Sequence, residues 1–328
     1  MPFKNVENFL GKTLKSIKNQ SYSNFELIAV NDHSIDNSVE IFKSFSKLDE
    51  RFILLENKGR GIIPALITGE KLAKGNFISR MDADDLMAEN RVEVLIDNLV
   101  KNDSNSVAVG GVKYFSDSKK INQGYRNYEF WLNNLSRKGE NFKDIYKECP
   151  IPSPCWMMHK STFNKIGGFS KSIYPEDYDL AFRMYKNELE IIPELKLLHY
   201  WRDHYQRASR NDENYLDNAF WPLKVKYFLE IDCSDKSKIA VWGAGKKGKE
   251  LVKNLINKSV TPNWYCNNKN KIGKEIYGVK LQDSSQVLKL DSNYQIIVSV
   301  SNPEDKIEIE TQLKSDGRIK NHDYFMFV

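Results

Sequence analysis

The chain has 328 residues, 41% hydrophobic and 28% charged, a balance that excludes disorder and is large enough for two folded cores. A net charge of +5 over this length is too weak to argue for a nucleic-acid partner. The four cysteines (Cys149, Cys155, Cys233, Cys266) form no Cys-x-x-Cys pair and lie at no zinc-ligand spacing, no apolar run is long enough to span a membrane, and MPFKNVENFLGKTL lacks the apolar core of a signal peptide, so a cytoplasmic protein with reduced thiols is expected.

Val6, Phe9, Leu10, Leu14 and Ile17 recur at helical spacing, and FELIAV (25–30) reads as a buried strand ending at Asn31-Asp32. Asp36 has the character of a helix N-cap, with Val39, Phe42 and Phe45 on one face beyond it. RFILL (51–55) predicts a strand, and a helix around 62–73 tolerates Pro64 in its first turn. FISRM (77–81) predicts a strand running into Asp82, Asp84 and Asp85; a helix at 89–101 and a strand at 107–115 follow. This alternation predicts an α/β fold with a doubly wound, mostly parallel sheet. Ligands bind such sheets at the carboxyl ends of strands, where Asp32 and the aspartate cluster fall.

Residues 120–175, rich in Tyr, Trp, Asn and Pro, read as loops and short helices on the acceptor side, followed by a helix at 177–187. Over 213–230, Tyr215, Leu216, Phe220, Trp221, Leu223, Tyr227 and Phe228 predict a packing helix between domains. The sharper alternative is an amphipathic helix in peripheral contact with the membrane, aided by Lys224 and Lys226. From 237, KIAVWGAGKKGKELVKNLI reads strand, glycine turn, helix, with WYC (264–266) and QIIVSV (295–300) as further strands. The expected division is a first domain over 1–212, a helical linker over 213–235 and a smaller Rossmann-like α/β domain over 236–328.

Carboxylates packed as tightly as those of RMDADD (80–85) repel one another unless a hard cation with oxygen ligands holds them. Such a cation could bridge nucleotide phosphates, although an isolated Asp-x-Asp is commonly just an acidic turn or cap. The context is more specific. SIKNQSYSNFELIAVNDHSIDNS, ISRMDADD, IGGFSKSIYPEDYDLAFRM and YWRDHYQRASR, in this order over about residues 2–210, closely resemble the family 2 glycosyltransferases of GT-A fold.

That resemblance implies inverting transfer of a sugar from a nucleotide-sugar donor, UDP-linked by preference, to a glycan or lipid-linked glycan acceptor. The setting it implies is bacterial surface polysaccharide, capsule or lipopolysaccharide, made at the inner face of the membrane. It implies that Asp32, with Asn31 beside it, contacts the base, and that Arg80 and Asp82 belong to the nucleotide-sugar site. Asp84 would be the direct Mn2+ or Mg2+ ligand, Asp82 would face the ribose or the metal, and Asp177 would be the catalytic base with Glu176 orienting the acceptor. His204 and Arg207 would close over the diphosphate, His204 also counting among the metal ligands. These residue types suit the chemistry: inverting transfer needs one carboxylate base and a cation on the leaving diphosphate, whereas glycoside hydrolysis needs two carboxylates flanking the bond. The start of the 177–187 helix should favour the ionised form of Asp177. Trp131, Trp156 and Tyr174 could stack on sugar rings, though large aromatics more often pack a core.

The family opens with a buried central strand, of which MPFKN retains nothing strand-like; its loss would leave both neighbours with unpaired backbone, and an N-terminally shortened sequence is the expectation. Near the other end, Gly243, Gly245 and Gly248 fit G-x-G-x-x-G between a strand and a helix. The carboxylate that NAD binding expects at the end of the second strand is replaced by Cys266-Asn267-Asn268. The segment resembles small Rossmann-like domains of sugar-modifying bacterial proteins, through Asn267, Asn268, Lys271, Gly273, Gly278 and Val279. Nucleotide binding there and a plain accessory fold both remain open. An NAD(P)- or nucleotide-sugar-binding protein acting through this domain is the alternative function; as an oxidoreductase it would lack a Tyr-x-x-x-Lys constellation, and as a mere sensor it would not need Glu176-Asp177.

Overall fold

A computed structural model describes residues 1–117, 120–169, 173–207 and 220–328. The chain forms two compact units, Met1–Phe142 with Pro150–Asn211, and Lys143–Cys149 with Asp212–Val328. The short segment Lys143–Cys149 thus groups with the second unit.

The first unit begins with β1 (Pro2–Phe3), α1 (Glu7–Lys18), β2 (Leu27–Asn31), α2 (Ser38–Ser46), β3 (Phe52–Glu56), α3 (Ile62–Leu72) and β4 (Phe77–Ser79). It continues with β5 (Leu86–Met87), α4 (Arg91–Val100), β6 (Ser106–Val109), β7 (Gly111–Phe115) and α5 (Gln123–Lys138). It closes with β8 (Trp156–His159), α6 (Lys160–Lys165), α7 (Glu176–Lys186), β9 (Glu190–Ile192) and β10 (Leu197–Arg202). Parallel pairs join β1-β2-β3. The order β4-β8-β6-β9 is mixed, because β8 runs antiparallel to both of its neighbours, and β10 lies between antiparallel β5 and parallel β7.

Several local expectations are refined. Leu10, Leu14 and Ile17 form the buried stripe of α1. Asp36 stands one residue before the N-cap of α2, yet its carboxylate accepts from the amides of Ser38 and Glu7, each at 3.0 Å, and so fastens the starts of two helices. The single strand expected at 107–115 divides at Gly110 and serves two sheets, where a Cβ would lie 2.7 Å from Leu198. The region expected to be loops and short helices contains the 16-residue α5, capped by Asn122 and ended by Gly139 at φ 65°.

Pro2–Phe3, expected to leave no strand, does form one, because the open edge of β2 has backbone groups to satisfy. The Met1 amine donates to the Ile28 carbonyl at 2.9 Å, and the Val30 amide donates to the Met1 carbonyl at 2.9 Å. A cavity of about 370 Å³ lies between Leu27–Ile28 of β2 and Phe77–Ile78 of β4, and no other described segment fills it.

In the second unit, β11 (Ile239–Trp242), β12 (Asn263–Cys266), β13 (Glu275–Ile276), β14 (Val279–Asp283), β15 (Gln295–Val298) and β16 (Tyr324–Met326) form one sheet of order β13-β14-β12-β11-β15-β16, parallel except at β13. Strand order reverses between β11 and β15, so the glycine turn after β11 lies at the topological switch point. Tyr146 stacks on Phe327 at 4.9 Å, anchoring Lys143–Cys149 in this unit. Of the helix expected at 213–230, residues 213–219, including Tyr215 and Leu216, lie outside those described. Trp221–Tyr227 is helical, but Trp221, Leu223, Lys224 and Tyr227 are all buried, so this stretch offers lipid no apolar face. No described helix is long and apolar enough to cross a membrane.

Candidate active site

The carboxyl ends of β2 and β4 bring the first part of the site together. Asp32 follows β2 and is 7% exposed; its two carboxylate oxygens accept from the amide of Gly61 at 3.0 Å each, and one also accepts from Asn57 Nδ2 at 2.6 Å. Gly61 can offer that amide because it sits at φ 91°, a conformation that side chains resist. Asn57 and Gly61 were not foreseen; the only signal in the sequence was a glycine pair in a loop after a strand. Asn31 is engaged in the turn, donating to Glu56 at 2.8 Å and accepting from the Ser34 amide at 3.0 Å.

Arg80, 7% exposed, links the two carboxylate groups of the site. Its Nε donates to Asp82 at 3.1 Å and one terminal nitrogen donates to Glu176 at 2.7 Å. The planar fork of arginine suits this bridging, and it ties the aspartate turn to the start of α7. Glu176 is 2% exposed, and Asp177 beside it is half-buried. Burial first, and repulsion from Glu176 second, push the Asp177 carboxyl up to about 7. The helix N-terminus, expected to keep this group ionised, is outweighed because scarce water disfavours the charged form more than a helix end favours it.

Asp84 and His204 meet, with Nε2 2.7 Å from a carboxylate oxygen. Asp82 is not with them, being paired to Arg80, and among the described residues no three potential ligands form a ready metal cluster. The pair still fits a hard divalent cation that takes part of its coordination from substrate phosphates, as Mg2+ and Mn2+ do. Arg207 is held over the rings of Tyr114 and Trp201, at 5.6 and 5.5 Å, with Asp85 and Asp84 within range of its charge.

Beneath the turn lies a buried polar network that the sequence reading missed. Asp85, 1% exposed, accepts from His199 Nε2 at 2.9 Å and from the Arg202 amide at 2.7 Å. Burial and the neighbouring Asp84 and Asp82 raise its pKa, while Arg207 and the Arg202 amide favour its ionised form. Burial and the guanidiniums of Arg91 and Arg207 hold His199 well below its usual range, hence neutral.

Of the aromatic residues considered for sugar stacking, Trp156 is 2% exposed and packs on Phe163, a core role. Trp131 packs on Tyr128, and the Tyr174 hydroxyl lies beside Gly61. In the second unit, Gly243 adopts φ 128°, and a Cβ on Gly248 would come within 2.1 Å of the Gly243 carbonyl oxygen. These glycines therefore serve the tight turn and close helix packing whatever else they do. A cavity of about 160 Å³ opens there, lined by Gly243, Gly245, Asn267, Asn268, Lys271 and Asp305 among others; Lys271 Nζ donates to the Ala244 carbonyl at 2.8 Å.

The family model described as glycosyl transferase family 2 matches residues 1–167. The chain is 39% identical over 119 residues to the glycosyltransferase GlyA of Streptococcus pneumoniae, a match covering 36% of this chain and 17% of GlyA. It is 33% identical over 181 residues to an uncharacterized glycosyltransferase of Haemophilus influenzae, covering 54% of each. It is 28% identical over 195 residues to the UDP-Glc:alpha-D-GlcNAc-diphosphoundecaprenol beta-1,3-glucosyltransferase WfgD of Escherichia coli, covering 57% of this chain and 68% of WfgD. The chain thus matches about half, or less, of the first two relatives' length. Among solved structures, S. aureus TarS 1-349 in complex with UDP-GlcNAc superposes with a TM-score of 0.50 at 17% identity, covering 77% of this chain and 70% of TarS 1-349, a likeness of fold.

Proposed function

Because this chain belongs to glycosyl transferase family 2, we propose that it is an inverting, metal-dependent glycosyltransferase that moves a sugar from a UDP-sugar to a glycan acceptor of bacterial surface polysaccharide. The observation that carries the reading is the Arg80 bridge, which joins Glu176, the neighbour of Asp177, to the aspartate turn on the donor side. A carboxylate with a pKa near 7 is matched to general-base work at neutral pH.

In this reading the acceptor hydroxyl lies against Asp177. As its oxygen forms the bond to the anomeric carbon and the bond to the diphosphate breaks, Asp177 takes the proton. Attack opposite the leaving group inverts the anomeric centre. Glu176, held by Arg80, orients the acceptor, and Asp32 and its loop receive the base. Asp84 and His204 would hold Mn2+ or Mg2+, which when bound supplies positive charge to the departing diphosphate. The UDP preference is supported by the donors in the names of WfgD and of the TarS complex, and the acceptor class by the name of WfgD.

The test is thermal stabilisation of the full chain by UDP, GDP and dTDP, each with MnCl2 and with EDTA. A ligand at 100 times its Kd should stabilise the protein by about 2.7 kcal/mol. UDP should act only with the metal, and Asp84→Ala should remove the effect; stabilisation by UDP that EDTA leaves intact counts against a metal at Asp84.

A further inference from the structure

We propose that Asp85, His199 and Arg91 form a buried relay that positions the Asp82–Asp84 turn, so that the donor site is set from beneath by α4 and β10. This inference rests on the reading of that turn as the donor site, and it adds three positioning residues that touch neither donor nor acceptor.

The relay is continuous. Arg91 is 1% exposed, and one of its terminal nitrogens donates to the Arg80 carbonyl at 3.0 Å and also to the Pro154 carbonyl. Its other terminal nitrogen lies 2.8 Å from His199 Nδ1. His199, wholly buried, reaches Asp85 through Nε2, and Asp85 in turn accepts from the Arg202 amide. The Arg202 side chain then returns to the turn, its Nε donating to the Asp84 carbonyl at 2.6 Å. The carbonyl of Arg80 before the turn and that of Asp84 at its end are therefore each held by an arginine, and the His199–Asp85 pair connects the two arginines.

The chemistry fixes the direction of every bond. A guanidinium only donates, so His199 Nδ1 accepts from Arg91, and the imidazole proton resides on Nε2, facing Asp85. Asp85 must then present acceptors to both the imidazole and the Arg202 amide. An asparagine at 85 could satisfy the amide only by turning its own N–H2 toward the imidazole N–H. The geometry thus demands matched polarity at 85 and 199, which is more than a demand for volume.

Calorimetric titration of UDP into the full chain with MnCl2 tests this on the wild type, Asp85→Asn, His199→Leu, His199→Gln and the double variant Asp85→Asn/His199→Gln. Circular dichroism melts of the ligand-free proteins run alongside. A glutamine at 199 can turn its oxygen to Arg91 and its N–H2 to Asp85, as the imidazole does, whereas facing an asparagine at 85 with its oxygen would set its N–H2 against the Arg91 guanidinium. Loss of a group that orients a metal ligand typically costs about 10- to 100-fold in affinity. We therefore expect Asp85→Asn and His199→Leu to weaken UDP by that factor while folded, His199→Gln to retain most of the affinity, and the double variant to bind no better than Asp85→Asn alone. A demand for volume alone would not separate His199→Gln from His199→Leu. If Asp85→Asn does not fold, the contrast between His199→Gln and His199→Leu decides: affinity retained in the first and lost in the second supports the relay, and equal affinity in the two overturns it. A folded Asp85→Asn that binds UDP as well as the wild type also overturns the relay and leaves the donor site standing. A wild type that binds no nucleoside diphosphate with metal overturns both.

Discussion

In the proposed reading, Asp177 trades stability for function. Burial pushes its carboxyl up to about 7 in the folded chain, above the ordinary aspartate value, so between the two the folded chain binds more protons than the unfolded one. Its contribution to stability therefore falls as pH rises through that window and stays unfavourable above it. Asp177→Asn keeps an oxygen for the Tyr178 amide, accepted at 2.8 Å in the wild type, and removes the charge. The variant should melt higher than the wild type at pH 8, bind UDP normally and lose a factor of about 10² to 10⁴ in turnover. Wild-type turnover should rise with pH through about 7, and an acid limb near pH 4 would refute the elevated pKa. Arg80 makes the opposite case. Arg80→Met removes the ion pair that Arg80 makes with buried Glu176, and breaking one partner of a buried pair costs about 3–5 kcal/mol. A melt of that variant close to the wild type's would show that Glu176 is not held by Arg80 in solution.

At the scale of elements, the site depends on strand ends and the turns that follow them. The Asp32 loop works because Gly61 is left-handed, and the split of β6 from β7 works because Gly110 lies under Leu198. In the second unit the helix Lys246–Ile256 packs so closely on the turn after β11 that Gly248 has no room for a methyl group. Gly248→Ala should destabilise this unit by at least about 1–3 kcal/mol, the usual cost of overpacking, read as a lower urea midpoint. An unchanged midpoint would mean that the turn relaxes freely. Helix stripes and strand runs were readable in the sequence because burial imposes the periods 3.6 and 2. The break at Gly110 and the long helix α5 were not, since both answer to neighbours distant in sequence.

For the whole molecule, the aspartate turn of the first unit and the glycine turn of the second make different demands. In the second unit β12 ends at Cys266 and Asn267 follows, where an NAD ribose expects a carboxylate, and a modest cavity opens at the glycine turn. NAD should leave the melting temperature unchanged under conditions where UDP with Mn2+ raises it; stabilisation by NAD alone would move the function to this unit. By itself, the sequence determined the α/β class, the family, the places of the acidic turn and of Glu176-Asp177, and the glycine turn, because each is a local pattern or an ordered set of motifs. Only the tertiary structure decided that Arg80 bridges Asp82 and Glu176, that Asp84 meets His204, that Pro2–Phe3 pairs as a strand, and that Asp85 sits on His199 and Arg91. Those partners lie up to 120 positions apart along the chain. Pairing, burial and the resulting shifts in acidity depend on which groups the fold excludes from water together, and no spacing along a sequence records that.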